Sequence, residues 1–178
     1  MTRIIAGEWR GHSLPTFKGE LVRPTTDRAR TVLFDTLRYF QDLKVLDLYS
    51  GTGALGFEAL SRGASSLVSI DHDRNNMIQQ NEWIDRHEKP FKGYIGDVEK
   101  VLTKLTDSFD LIFADPPYAE EIPRNIVALI EKHARAGAKF VYEKSRRNES
   151  VLDSEIFQLE KEKVISETRI QIYKAIGL

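Results

Sequence analysis

Two rhythms of apolar and polar positions alternate along the chain. Short apolar runs end near an acid, and stretches with apolar residues at helical spacing separate them. The runs are Lys44-Val45-Leu46-Asp47-Leu48-Tyr49, Leu67-Val68-Ser69-Ile70-Asp71, Phe91 to Ile95, Leu111-Ile112-Phe113-Ala114 closing on Asp115, and Lys139-Phe140-Val141-Tyr142-Glu143. Such runs read as buried strands of a parallel sheet. Between them the spacing predicts a helix from Ala54 to Arg62 stopped by Gly63, and one with Met77, Ile78, Asn81 and Ile84 on one side. A third carries Val98, Val101, Leu102 and Leu105 inward, and a fourth over 120–134 carries Ile122, Ile126, Val127, Leu129 and Ile130. Strands alternating with amphipathic helices predict an α/β domain.

The two ends follow other patterns. Residues 3–23 are glycine-punctuated and predict two short strands joined by a turn, with Trp9 as a core plug rather than a stacking surface. Pro24-Thr25-Thr26-Asp27 signals a helix start. Ala29, Val32, Leu33, Thr36, Leu37 and Phe40 then form a stripe that Arg28, Arg30 and Arg38 fall off. Phe157 to Glu160 and Thr168 to Tyr173 alternate with period two and predict a final hairpin with one face exposed.

Composition narrows the classes. With 178 residues, 41% hydrophobic and 30% charged, the chain reads as one domain with a small appendage, 1–40 ahead of 41–178. No apolar run approaches a membrane span, and no signal-peptide segment opens the chain, so a cytoplasmic location is expected. Cysteine is absent, which excludes disulfides, thiolate metal sites and cysteine nucleophiles. Asp71-His72-Asp73 is too compact to close a metal cage, so no metal is expected. The net charge of −1 hides an uneven distribution: residues 1–30 carry +3 and the rest −4. A basic arm on an acidic body is either a phosphate-contacting surface or a solvated arm.

Candidate chemistry collects at strand ends, where open α/β sheets bind ligands. Ser50-Gly51-Thr52-Gly53-Ala54-Leu55-Gly56 is a G-x-G-x-x-G loop, shared by nicotinamide, flavin and S-adenosylmethionine proteins. Asp71 lies 20 residues after Gly51, where an acid binds ribose hydroxyls or caps the next helix, a role Asp73 could fill instead. Asp97 is a helix cap, an adenine contact, or both. Asp115-Pro116-Pro117-Tyr118 forms a stiff elbow, because the prolines cannot extend the ladder. The elbow presents a carboxylate, a carbonyl and a flat ring. These suit a planar base with an exocyclic amine, which donates to Asp115 and the Pro116 carbonyl while Tyr118 stacks on its face. A methyl donor and an amine acceptor on neighbouring strands point to N-methyl transfer from S-adenosylmethionine. The basic loop Lys144-Ser145-Arg146-Arg147-Asn148 shares this edge, either reaching substrate phosphate or facing solvent.

The Asp-Leu-Tyr-Ser-Gly-Thr-Gly-Ala-Leu-Gly loop with Asp-Pro-Pro-Tyr resembles the class I S-adenosylmethionine-dependent amino-methyltransferases. Arg3-Ile4-Ile5-Ala6-Gly7-Glu8-Trp9-Arg10-Gly11 and Arg23-Pro24-Thr25-Thr26-Asp27-Arg28-Ala29-Arg30 resemble one branch closely, the bacterial RsmD family of 16S ribosomal RNA guanine-N2 methyltransferases. The resemblance implies a Rossmann-like, mostly parallel seven-stranded sheet with the last strand antiparallel, plus an N-terminal hairpin and helix. It implies that Asp47, Ser50, Gly51 and Gly53 face the methionine end of the cofactor, Asp71 the ribose and Asp97 the adenine. The Arg23–Arg28 segment, with Thr26, would close over the cofactor. Arg3, Arg10, Arg23 and Arg28, with Arg146 from the basic loop, would hold 16S RNA of an assembled or assembling small subunit. A monomer is expected. Where the family carries Tyr-Gly before the last strand, this chain has Ser166-Glu167. An adenine-N6 methyltransferase of RNA or DNA, a nicotinamide-dependent oxidoreductase, and a nucleic-acid-binding module with a vestigial pocket are the competing readings.

Overall fold

A computed structural model describes residues 2–14, 27–117 and 121–177. The parallel strands form where the apolar runs predict them: β1 (Lys44–Leu48), β2 (Ser66–Asp71), β3 (Phe91–Ile95), β4 (Phe109–Ala114) and β5 (Ala134–Ser145). A closing hairpin, β6 (Phe157–Ile165) and β7 (Thr168–Ala175), completes a seven-stranded sheet in the order β3-β2-β1-β4-β5-β7-β6. Only β7 runs against the others.

Period-two alternation sends side chains to two cores. Val45, Leu111, Phe113, Val141 and Ile172 face one side, under α1 (Asp27–Leu37), α2 (Ala54–Ser61) and α3 (Arg74–Ile84). Leu46, Leu48, Ile112, Phe140 and Tyr173 face the other, under α4 (Val98–Leu102) and α5 (Arg124–His133). Among the described residues no helix is long and apolar enough to cross a membrane.

Four expectations change. The N-terminal strands reduce, within residues 2–14, to one antiparallel bridge between Arg3 and Ser13. This segment is sewn onto α2 by polar bonds: Ile5 and Ala6 N–H donate to the buried Glu58 carboxylate at 2.7 and 3.0 Å, and Trp9 N–H donates to Ser61 Oγ at 3.0 Å. Gly7 sits so close that a Cβ there would lie 1.9 Å from the Ser61 carbonyl oxygen. Trp9 is buried edge-on against Trp83, as a core plug.

Arg30 does not leave the α1 stripe for solvent. It is fully buried and donates to the Arg3 carbonyl at 2.8 Å and to Asp27 at 2.7 Å. The inward face of α3 carries Met77, Gln80, Trp83 and Ile84, while Ile78 is 42% exposed and Asn81 faces solvent. Apolar spacing alone misplaced that face because one of its buried members is an amide. Finally, β7 has no exposed face, because Ile170 and Ile172 join one core and Tyr173 and Ala175 the other. Its polar residues other than Lys174 are buried, and Gln171 donates to Glu162 at 2.8 Å and accepts from the Tyr173 hydroxyl at 2.7 Å. The exposed edge falls to β6, whose Glu160, Lys161, Glu162 and Lys163 discourage further pairing.

Candidate active site

Strand order reverses between β1 and β4, which opens a crevice at their carboxyl ends. The glycine loop leaves β1 on one side of it. Tyr49, Gly51 and Gly53 all have positive φ, at 57°, 52° and 76°. A left-handed tyrosine is strained, and such strain gathers at functional sites. The turn is closed by Ser50 N–H to the Ile70 carbonyl at 3.1 Å and Gly53 N–H to the Ser50 carbonyl at 2.8 Å. Gly56 lets α2 approach the sheet: a Cβ there would lie 2.7 Å from Leu67 and 3.0 Å from the Asp47 carboxylate. Asp47 is buried, and its Oδ2 accepts from Gly56 N–H at 3.0 Å.

Asp71 ends β2, also buried. Its Oδ2 accepts from Gly51 N–H at 2.7 Å, and its Oδ1 accepts from Asp73 N–H at 2.8 Å and Asn76 Nδ2 at 3.3 Å. The helix cap falls to Asp73, which accepts from Asn75 and Asn76 N–H. Asp71 is therefore not spent on capping. Asp97 is exposed and caps α4 through Lys100 N–H at 3.2 Å.

Across the crevice, Asp115 is half-buried at the end of β4, followed by buried Pro116 and exposed Pro117. Its N–H lies 3.5 Å from the Leu48 carbonyl, so the elbow starts beside the end of β1. The far side of the elbow is pinned where Ile122 N–H donates to the buried Tyr142 hydroxyl at 3.2 Å. Three acids share this crevice electrically. Burial pushes the Asp47 carboxyl well above its ordinary range, and the Asp115 and Asp71 charges push it further, against the Gly56 N–H bond. The arrangement favours a cationic ligand.

The structure thus brings Asp47, Ser50, Gly51, Gly53, Asp71, Asp115 and Pro116 around one crevice, with Asp97 on the rim beyond β3. Arg3, Arg10, Arg28 and Arg146 are all exposed. Arg146 N–H donates to the Glu167 carbonyl at 2.8 Å, which joins the basic loop to the last hairpin turn. Tyr118, Arg23 and Thr26 lie outside the described residues. Among the described residues no group of three or more acids or histidines could hold a metal ion. A cavity of about 300 Å³, lined by Leu37, Tyr39, Asp110 and Lys139 among others, lies at the opposite, amino edge of the sheet.

Sequence reasoning missed Gln80. It is fully buried on α3, and its Nε2 donates to Ser50 Oγ at 2.9 Å and to the Gly51 carbonyl at 2.8 Å. A glutamine on the inward stripe of a helix was the available signal.

Known proteins resemble this chain over nearly its whole length. The family described as Conserved hypothetical protein 95 matches residues 2–174. Ribosomal RNA small subunit methyltransferase D of Haemophilus influenzae is 30% identical, with 97% of this chain and 93% of that protein covered. The protein of the same name from Escherichia coli K12 is also 30% identical, over 97% and 89%. A solved structure of the putative methyltransferase yhhF from Escherichia coli superposes with a TM-score of 0.87, at 30% identity over 98% of this chain and 97% of that one. These matches join the crevice geometry to a single lineage: the chain belongs to the Conserved hypothetical protein 95 family, the RsmD family.

Proposed function

We propose that this protein is an S-adenosylmethionine-dependent ribosomal RNA methyltransferase that modifies the exocyclic N2 amine of a guanine in small-subunit (16S) RNA. The observation that carries the reading is the placement of Asp115 at the strand-order reversal, across the crevice from the glycine loop. The names of the full-length relatives supply the RNA class.

The residues present fit the cofactor. A Cβ built on Gly51 meets no atom within 4 Å, so the loop backbone faces open space. The Asp71 and Asp115 charges beside that space complement the positive sulfonium and ammonium groups. Asp47, Ser50, Gly51 and Gly53 would hold the methionine end, Asp71 the ribose and Asp97 the adenine. When bound, the cofactor supplies an electrophilic methyl group on sulfur.

The protein's own task is to present a poor nucleophile. The guanine amine is unreactive because its lone pair is delocalised into the ring. Asp115 and the Pro116 carbonyl accept its two N–H bonds and draw the nitrogen towards tetrahedral geometry, which frees the lone pair. Asp115 also stabilises the positive charge that develops on nitrogen. Fixed placement of the base against the loop provides most of the remaining acceleration. Tyr118 stacks on a base that must first leave its own stack. Residues 1–40 serve as the RNA-contacting extension, with Arg3, Arg10, Arg23 and Arg28 on phosphates beside Arg146 of the basic loop, and Thr26 in the segment that closes over the cofactor. The enzyme acts as a cytoplasmic monomer on the assembled or assembling small subunit.

A tritiated-methyl transfer assay tests this. Small subunits lacking the modification, naked 16S RNA and DNA are offered in parallel. Label recovered as N2-methylguanosine from small-subunit RNA is the expected result. Label only on adenine would move the reading to adenine-N6 transfer, and no transfer to any of them would overturn it.

A further inference from the structure

We infer that Gln80 is a positioning residue that holds the glycine loop in its cofactor-binding shape, an inference that rests on the function proposed above. The Gly51 backbone is held at both polar ends. Its N–H donates to Asp71 Oδ2 at 2.7 Å, and its carbonyl accepts from Gln80 Nε2 at 2.8 Å. The same Nε2 donates to Ser50 Oγ at 2.9 Å. The amide thus spans two successive loop residues from 29 and 30 positions away in sequence. A Cβ on Gly53 would lie 3.2 Å from the Gln80 amide carbon, so the side chain also packs against the third loop residue. One turn earlier on α3, Asn76 donates to Asp71 Oδ1 at 3.3 Å. One helix face therefore fixes both the loop and the acid that grips it.

The orientation of the amide carries a cost. A carbonyl such as that of Gly51 can only accept, so the NH2 group must face the loop. That leaves Gln80 Oε1 buried without a hydrogen-bond partner in a side chain that is 0% exposed. A buried acceptor left unpaired destabilises the fold, and a methionine of similar shape would avoid the loss. A residue kept for packing alone would not carry this defect. Its use is to pin Gly51 at φ 52° and to aim the Ser50 hydroxyl before any ligand arrives. Such pre-organisation lowers the ordering cost of binding.

The test is Gln80→Met, read three ways. In the unliganded protein, amide hydrogen exchange at Ser50 to Gly53 should accelerate about tenfold, the scale of losing one to two net hydrogen bonds. Affinity for S-adenosylhomocysteine by calorimetry should fall by about the same factor. The thermal midpoint should stay near the parent's, because the orphaned acceptor leaves with the clamp. With saturating cofactor kcat should hold while KM for the cofactor rises. Unchanged loop exchange, or a lowered midpoint with unchanged affinity, would overturn the assignment in favour of simple packing. Should Gln80→Met not fold, Gln80→Glu serves instead. A protonated carboxyl can still donate to Gly51, so its affinity relative to the parent's at the same pH should recover as pH falls, and a ratio that stays flat would count against the clamp. A parent protein with no affinity for S-adenosylhomocysteine would sink the proposed function, while loop exchange in unliganded protein would still decide the clamp.

Discussion

The two walls of the crevice are made rigid by different means. The elbow of Asp115, Pro116 and Pro117 is stiff because of its own covalent structure: two pyrrolidine rings fix φ and remove ladder donors within three residues. The glycine loop has the opposite intrinsic character. Gly51 and Gly53 allow its shape but do not impose it, since glycine visits many conformations equally well. Its shape is imposed from outside, by Asp71 at the end of β2 and Gln80 on α3. One wall carries its rigidity in the chain, and the other borrows it from the fold. The division suits the function proposed above, in which the elbow holds a reacting amine and the pinned loop receives a cofactor.

Substitutions can separate the two walls. The largest effect is expected from Asp115→Ala, which should lower turnover roughly 10²–10³-fold, the scale of losing one preorganised electrostatic group. Cofactor affinity should barely move. Steady-state kinetics paired with calorimetry check this, and near-normal turnover would remove Asp115 from the reaction. Next comes Asp71→Ala, which acts on the other wall. It should weaken cofactor binding by about 1.5–3 kcal/mol, the scale of hydrogen bonds to a charged group. Unchanged affinity by calorimetry would show that Asp71 only shapes the apo loop.

Asp47 sharpens the comparison through pH. Its folded carboxyl is raised well above the ordinary 3.8, first by burial and then by Asp115 and Asp71. The folded protein therefore holds a proton that the unfolded chain releases. Asp47 supports the fold fully below the ordinary value, and that support is lost as pH rises through the raised folded value. In Asp47→Asn this loss should vanish, with the Gly56 N–H bond kept by the amide oxygen. Denaturant unfolding across acidic to neutral pH should show the variant gaining on the parent as pH rises. The reverse trend would mean that Asp47 is stabilised as an anion. The smallest effect is expected at the elbow's exit. Tyr142→Phe strands the Ile122 N–H and should cost about 1 kcal/mol of stability. It should leave cofactor affinity intact, and calorimetry beside thermal unfolding would reveal any spread to the loop.

What could be foreseen divides along the same line. The parallel strands, the acids at their carboxyl ends and a seven-stranded sheet with one antiparallel strand follow from local patterns and from the resemblance that those patterns carry. The glycine spacing and the proline elbow are equally local. The misplaced features were all decided at a distance. Arg30 reads as a solvent residue until the N-terminal segment brings the Arg3 carbonyl over it. Thr168 to Tyr173 alternates like a half-exposed strand. Packing into both cores buries its two faces, with Ile170 and Ile172 on one side and Tyr173 and Ala175 on the other, and Glu162 and Tyr173 satisfy Gln171. The Ser166-Glu167 departure is absorbed locally: Ile165 still pairs with Thr168, with Ser166 at φ 54° in the turn.

The sequence by itself determined where strands end and which reactive groups stand there. These depend on side-chain period, proline geometry and glycine spacing, all expressed within a few residues. The tertiary structure alone decided which buried polar groups are satisfied and which loop conformation is held. A hydrogen bond between Gln80 and Gly51 forms only after β1, β2 and α3 have packed, and no local propensity encodes a partner 29 residues away.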